Sequence, residues 1–218
     1  SDGVEVAKTD ENGIYYLSSK KQTGYVFVSM PSNYEMKDQN YNLPIFYQTL
    51  NADDKQAEIR DFELVAVNND DHVLLSIGDL HLANRSNDIQ QFQNGFVKDI
   101  NEVIATYESQ GKKVYGLTLG DLTWETYWYS NNFTIPNYIH RIKNVSAPIF
   151  NVIGNHDNDP YVANDWESEK AFRNNLGPTY YSFNIGKVHY IVLDDTEYIN
   201  AGASQGTIGQ KNYNGKIT

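Results

Sequence analysis

The 218-residue sequence contains no cysteine. Disulfides and thiolate metal sites are therefore excluded, and any bound metal would need His, Asp, Glu or Asn ligands. The sequence also lacks an apolar run approaching the roughly 20 residues that a membrane-spanning helix needs. Oxygen and imidazole groups are therefore the only strong metal ligands of the chain. Its 218 residues are enough to bury a core of their own.

Basic side chains are scarce, with 17 Lys and Arg against 28 Asp and Glu and a formal net charge of −11. An electrostatic binder of nucleic acid or of anionic membranes needs concentrated positive charge, so we expect neither activity. A small phosphorylated substrate remains compatible with this balance, because a metal cation in a cleft acts at contact distance. The oligomeric state is left open.

Residues 1–67 show no helical periodicity, and short apolar runs between turn signals predict a small all-β domain. A hairpin is predicted at residues 4–17, turning at Asn12-Gly13. The further strands predicted in this region cover residues 25–28, 45–50 and 59–67.

Beyond the polar joint at residues 68–71, strands and helices alternate, which predicts a parallel sheet with right-handed crossovers. Ser86 and Gly111 are placed to cap a long helix. Shorter helices are predicted from about Pro136 and after Asp165, followed by a hairpin that turns at Gly186-Lys187.

Three of the predicted strands end in glycine followed by a metal-ligand type of side chain. The motifs are Gly78-Asp79-x-His81, Gly120-Asp121 and the run Asn155-His156-Asp157 after Gly154. Residues two apart in extended backbone point to the same side, so Asp79 and His81 can converge. Since parallel sheets collect their chemistry at the carboxyl ends of the strands, we expect the three motifs to meet there.

These motifs, in this order, resemble the calcineurin-like metallophosphoesterase superfamily over residues 72–218. The resemblance implies an α/β metallophosphoesterase-type β-sandwich flanked by helices, occupying residues 68–218 behind the small all-β N-terminal domain. It also implies two divalent or trivalent metal ions, with Mn, Fe and Zn as the candidates.

The resemblance assigns a role to each matching residue. Asp79 and His81 would bind the first metal, Asp121 would bridge both metals, and Asn155 would bind the second. His156 would contact the phosphate and protonate the leaving group, with Asp157 orienting it. Such a metal pair, about 3.5 to 4 Å apart, polarises a phosphoryl oxygen and lowers the pKa of a shared water towards 7.

The predicted function is hydrolysis of a phosphomonoester or phosphodiester by a metal-bridged hydroxide. Two alternatives stay open: an inactive calcineurin-like scaffold that acts as a binding module, and a nucleotide pyrophosphatase. The aromatic residues Trp124, Tyr127 and Trp128 follow Asp121 and could form a lip that stacks on the substrate, or could simply pack the loop.

The sequence departs from the superfamily pattern in two places. Trp124 stands where purple acid phosphatases place a tyrosine ligand, so an iron-tyrosinate centre is not expected. The superfamily's later histidine ligands have no counterpart, because no histidine follows His189; we therefore expect the chain to be truncated. The remaining histidines, His72, His140 and His189, are interpreted as structural.

The N-terminal region resembles a carboxypeptidase regulatory-like β-sandwich, on the pattern Asp10-Glu11-Asn12-Gly13 followed by alternating apolar residues. This resemblance predicts a periplasmic, cell-surface or secreted protein. A carbohydrate-binding module is the alternative, and it would need Tyr15, Tyr16 and Tyr25 to form one exposed aromatic face.

Overall fold

A computed structural model describes residues 1–199 and 212–215, and its centre is a three-stranded parallel sheet. The strands are β7 (His72–Ile77), β8 (Lys113–Thr118) and β9 (Ile149–Phe150), hydrogen-bonded in that order. The register pairs His72 with Lys113 and Ile77 with Thr118. The predicted parallel sheet is confirmed. Its strands end beside one another, so the loops that follow them start at the same edge.

The long helix after β7 contains an irregular turn that the sequence pattern did not indicate. It runs through α1 (Asp88–Gln91), a π-helical turn (Phe92–Phe96) and α2 (Val97–Ser109). Asn87 rather than Ser86 is the N-terminal flanking residue. Gly111 has a φ of +79°, which fits the predicted helix end.

The shorter helices form where predicted. Helix α3 (Ile135–Ile142) begins after Thr134, whose backbone N–H donates to Asn137 Oδ1 at 2.9 Å. Helices α4 (Asp165–Ser168) and α5 (Lys170–Leu176) follow, and Gly177 ends α5 with a φ of +95°.

The C-terminal strands pair antiparallel. The predicted hairpin is present as β10 (Tyr181–Ile185) and β11 (Val188–Val192), and a further pair joins β12 (Thr196–Ile199) to β13 (Asn212–Gly215). The described residues thus contain separate small sheets and helices, and closure into one β-sandwich stays a prediction.

The N-terminal region is rich in short strands, but their pairing differs from the expected one. Around Asn12-Gly13 only a turn forms, and the flanking residues 4–9 and 14–17 are not in regular strands. This hairpin prediction was wrong because its apolar side chains stay in water, as Val6 and Tyr16 are 78% and 90% exposed. The strands pair instead over long sequence distances, β1 with β5, β2 with β6, and β3 with β4. They are β1 (Tyr25–Phe27), β2 (Tyr34–Met36), β3 (Gln39–Asn40), β4 (Leu43–Pro44), β5 (Tyr47–Thr49) and β6 (Leu64–Ala66).

The N-terminal strands share an apolar cluster with the rest of the chain. Phe46 lies 4.7 Å from Tyr181, and Phe150 stacks on Phe183 at 3.9 Å between ring centroids. Tyr25 is buried in the same cluster, so the three tyrosines of the carbohydrate-binding alternative do not form one exposed face. A domain boundary between residues 67 and 68 stays a prediction.

Helices α4 and α5 carry buried ionisable side chains. Arg173 Nη1 donates to Glu169 Oε2 at 2.6 Å, and its guanidinium lies 3.4 Å from the Trp166 ring centroid. Burial, together with the neighbouring carboxylates of Asp194 and Asp165, raises the pKa of Glu169 to about 8. No helix among the described residues combines the length and the apolarity needed to cross a membrane.

Candidate metal centre

The loops that follow β7, β8 and β9 lie together at the carboxyl edge of the sheet and are hydrogen-bonded to one another. His81 N–H donates to the Asp121 carbonyl at 2.9 Å, and His156 N–H donates to Asp121 Oδ1 at 2.9 Å. A parallel bridge between Leu82 and Thr123 extends the contact. Asp121 therefore connects the other two loops through both its backbone and its side chain.

Three of the predicted metal ligands have left-handed backbone. Their φ angles are +53° at Asp79, +45° at His81 and +52° at Asp121. This conformation costs a residue with a side chain on the order of 1–3 kcal/mol, and it persists where the surrounding structure enforces it. Strain concentrated at these positions is typical of a functional site.

Two glycines allow the loops to approach so closely. A Cβ on Gly154 would lie 2.1 Å from Asp121 N, and a Cβ on Gly120 would lie 2.8 Å from Gly154 Cα. Gly78 differs, because a Cβ there would meet only Leu119 side-chain atoms at 3.8 and 3.9 Å. The repeated glycine of the sequence pattern is thus a steric requirement at the second and third loops alone.

Oxygen and nitrogen ligands converge on the His81 ring. Its Nε2 lies 3.6 Å from Asp79 Oδ1 and 3.4 Å from Asp121 Oδ2. Ligands each bound at about 2.1 Å to a tetrahedral ion stand about 3.4 Å apart, so each of these two pairs has the spacing of neighbouring ligands on one ion. His81 Nδ1 is buried without a hydrogen-bond partner. The donor set suits a hard or borderline divalent metal.

His156 also belongs to this group. Ligand-type atoms of His81, Asp121 and His156 all lie within 4.8 Å of one another. The structure therefore assembles a His/Asp/His group able to hold a metal ion, in which His156 is a candidate ligand as well as the predicted acid. Asn155 directly precedes His156 in a short 3-10 turn (Asn155–Asp157), and its role at a second metal stays a prediction.

The ring of His156 is held by a residue that the sequence argument did not consider. His156 Nδ1 lies 2.6 Å from Oε2 of Glu125, whose side chain is 4% exposed. A buried carboxylate at this distance fixes the ring and favours its protonated form.

The expected orientation of His156 by Asp157 stays a prediction, and the hydrogen bonds described for the Asp157 carboxylate go to other groups. Its carboxylate accepts hydrogen bonds from the backbone N–H groups of Leu122, Thr123 and Gly154 at 3.1, 2.9 and 3.0 Å, and from the Thr123 hydroxyl at 2.9 Å. Asp157 is fully buried, and burial raises the pKa of its carboxyl group to about 6. The hydrogen bonds from these donors lower the pKa, but by less than burial raises it. Its hydrogen bonds connect the loop that follows β8 to the loop that follows β9.

Residues 72–214 match the family model described as calcineurin-like phosphoesterase. The chain belongs to this family. Residues 1–67 match a second model, the N-terminal region of calcineurin-like phosphoesterase. The match places this strand-rich region with the phosphoesterase, and the carboxypeptidase regulatory-like resemblance stays a hypothesis. Searches of curated proteins and of solved structures returned no match to the chain.

The aromatic lip of this phosphoesterase is smaller than predicted. Trp128 is buried, and its Nε1 donates to Thr123 Oγ1 at 2.9 Å, so it packs the loop and cannot stack on a substrate. Trp124 and Tyr127 are partly exposed and contact each other edge to face at 5.4 Å. The Trp124 ring centroid lies 5.3 Å from that of His81, so the lip that remains borders the metal centre.

The histidines interpreted as structural lie outside this centre. His72 is hydrogen-bonded to the Tyr190 hydroxyl and His189 to Asn184 Oδ1, and the His140 ring contacts the Tyr41 ring. The candidate functional residue that sequence reasoning missed is Glu125. Its only signal was a carboxylate four positions after Asp121, inside an otherwise aromatic stretch.

Proposed function

We propose that this chain is a metal-dependent hydrolase of phosphomonoesters or phosphodiesters. The observation that carries the proposal is the His81, Asp121 and His156 cluster, whose ligand-type atoms lie within 4.8 Å of one another, with Asp79 Oδ1 at 3.6 Å from His81 Nε2. Family membership supports phosphoester hydrolysis as the reaction class. The substrate class within it rests on the chemistry of the site.

The residues proposed to hold metal are Asp79, His81, Asp121 and Asn155. A divalent ion bound here would polarise the phosphoryl group and provide a water nucleophile near neutral pH. Because the ligands include neutral imidazole and amide groups, the carboxylates offset only part of the charge of two divalent ions. The centre would therefore attract an anionic phosphoester.

His156 is proposed to give its proton to the oxygen of the leaving group. The Glu125 carboxylate at 2.6 Å stabilises the protonated ring and sets its orientation. A positioned acid of this kind contributes about 10²- to 10⁴-fold to a rate. Glu125 acts through His156 and is a positioning residue.

The proposal is tested with the full chain, stripped of metal and then reloaded with Mn²⁺, Fe²⁺ or Zn²⁺. We expect hydrolysis of p-nitrophenyl phosphate or bis-p-nitrophenyl phosphate only after reloading, and the preferred ester identifies the substrate class. Asp121→Asn should lower both the bound metal and the turnover. Metal bound without turnover on either ester would contradict the proposal and favour a binding scaffold.

A nucleotide pyrophosphatase is distinguished in the same experiment. ADP-ribose, which contains a pyrophosphate bond and no terminal monoester, would be cleaved in preference to both aryl esters. An extracytoplasmic location and a small phosphorylated substrate are also part of the proposal.

A further inference from the structure

Arg85 lies beside the metal centre on a tightly constrained loop. It follows His81 by four residues, and its neighbours Asn84 and Ser86 have left-handed backbone with φ angles of +52° and +35°. Asp88 closes the loop by accepting a hydrogen bond from Ala83 N–H at 3.0 Å. Such a backbone costs free energy, so the position of Arg85 is enforced rather than incidental.

The guanidinium of Arg85 packs on the aromatic lip. Its central carbon lies 4.6 Å from the ring centroid of Trp124 and 5.5 Å from that of Tyr127. The Trp124 ring in turn lies 5.3 Å from the His81 ring and 5.8 Å from the His156 ring. One indole therefore contacts both a fixed positive charge and the imidazoles of the metal centre.

The donors of this guanidinium are only partly used. Nη2 reaches the His81 carbonyl at 3.4 Å, and Nε lies 3.7 Å from Asp88 Oδ2, buried and without a hydrogen bond. Within residues 1–199 and 212–215, the guanidinium makes no other hydrogen bond. A buried donor left unsatisfied costs stability, and a functional role is one explanation for such a group in a native structure.

A fixed guanidinium is suited to an oxyanion. Its planar fork can donate two parallel hydrogen bonds to a phosphate or carboxylate, and stacking on an aromatic face leaves its edge available. Divalent ions in the neighbouring site would repel this charge, and an anion lying between them would remove that repulsion. The scissile phosphate would be held by the metals, so Arg85 would meet a different group.

We propose that Arg85 binds a second oxyanion of the substrate, a phosphate or a carboxylate attached near the scissile phosphate. The inference rests on the proposed hydrolase function and narrows its substrate class to esters with two anionic groups. Trp124 and Tyr127 hold the guanidinium in place, so they act on specificity through Arg85.

The first test measures binding without turnover, by calorimetry on the metal-loaded full chain. Methylenebisphosphonate carries two oxyanions and methylphosphonate carries one. Arg85→Gln should weaken the bisphosphonate at least about tenfold more than the monophosphonate, because a charge-assisted contact is lost only for the former. Arg85→Lys keeps the charge without the fork and should fall between wild type and Arg85→Gln. Arg141→Gln, at an exposed arginine on α3, is the matched control and should behave as wild type.

The second test separates the two sources of the oxyanion. We compare kcat/KM for p-nitrophenyl phosphate, for 4-carboxyphenyl phosphate and for inorganic pyrophosphate in wild type and in Arg85→Gln. A selective loss on the carboxylated ester indicates a carboxylate subsite, and a selective loss on pyrophosphate indicates a phosphate subsite. Equal losses on all substrates and on both phosphonates would overturn the inference and make Arg85 a packing residue.

The two proposals fail in different ways. Hydrolysis by the wild type without any Arg85-dependent selectivity retains the hydrolase and removes the subsite. Arg85-dependent binding of the bisphosphonate without hydrolysis of any ester retains the subsite and removes the hydrolase. Thermal unfolding of each variant shows whether it is folded, and if Arg85→Gln is not, Arg85→Lys decides by the same comparison.

Discussion

Gly154→Ala should dismantle the metal centre through a single added methyl group. That methyl would lie 2.1 Å from Asp121 N and 2.4 Å from Asp121 Oδ1, whereas real Cβ contacts essentially never fall under 3.0 Å. The second or third loop must therefore shift by about 1 Å, and overpacking of this kind typically costs about 1–3 kcal/mol. Gly154 has a φ of −117°, so the cost is steric and not conformational.

The displacement would spread because Asp121 is bonded to both other loops. Its carbonyl accepts from His81 N–H and its Oδ1 accepts from His156 N–H, each at 2.9 Å. Disturbing the groups that orient metal ligands usually costs about 10- to 100-fold in affinity. We therefore expect Gly154→Ala to lower Mn²⁺ or Zn²⁺ affinity at least tenfold and to destabilise the metal-free protein by about 1–3 kcal/mol.

Guanidinium unfolding in a chelator and calorimetric metal titration measure the two effects separately. Gly78→Ala is the matched control, because a methyl there meets Leu119 atoms no closer than 3.8 Å. It should change stability by less than about 1 kcal/mol and affinity by less than about twofold. If Gly154→Ala bound metal like Gly78→Ala, the close approach of the loops would not determine the site and the reasoning would be refuted.

Three further predictions concern other parts of the structure. Glu125→Gln should lower kcat about tenfold or more, because a neutral amide stabilises the protonated His156 less than a carboxylate does; unchanged kcat across the pH range would exclude the positioning role. Burial and the Asp194 carboxylate raise the pKa of Glu169 to about 8, so the folded protein keeps a proton that the unfolded chain releases above about pH 4.5. Wild-type stability should therefore fall as the pH rises from about 4.5 through 8, and Glu169→Gln should flatten that dependence in urea unfolding at a series of pH values. Trp128→Ala should cost about 3–5 kcal/mol of stability, as for a core aromatic, and the same truncation at the partly exposed tryptophan four residues earlier should cost much less in the same assay.

The sequence predicted the parts of this structure that depend on local patterns. Gly and ligand residues at three strand ends predicted that Asp79, His81 and Asp121 would meet, because parallel strands end at one edge. The parallel sheet and the hairpin at Gly186-Lys187 followed from apolar runs bounded by turn residues. These features require only short-range rules.

The missed features depend on contacts between distant residues. Glu125 precedes His156 by 31 positions, so the contact between their side chains depends on how the two loops pack together. Tertiary packing likewise decides which tryptophan is buried, because Trp128 lies in the core while Trp124 is partly exposed. In the N-terminal region, Tyr25 pairs with Thr49 and Tyr34 with Ala66, pairings that no turn signal specifies.

The left-handed backbone at Asp79, His81 and Asp121 has an evolutionary consequence. Glycine would relieve the strain at each position, so folding and metal retention select in opposite directions on the same residues. A lineage released from the need for the ion should drift towards glycine there and become more heat-resistant as it loses catalysis. Inactive descendants would then be recognisable by the glycine substitutions that made them more stable.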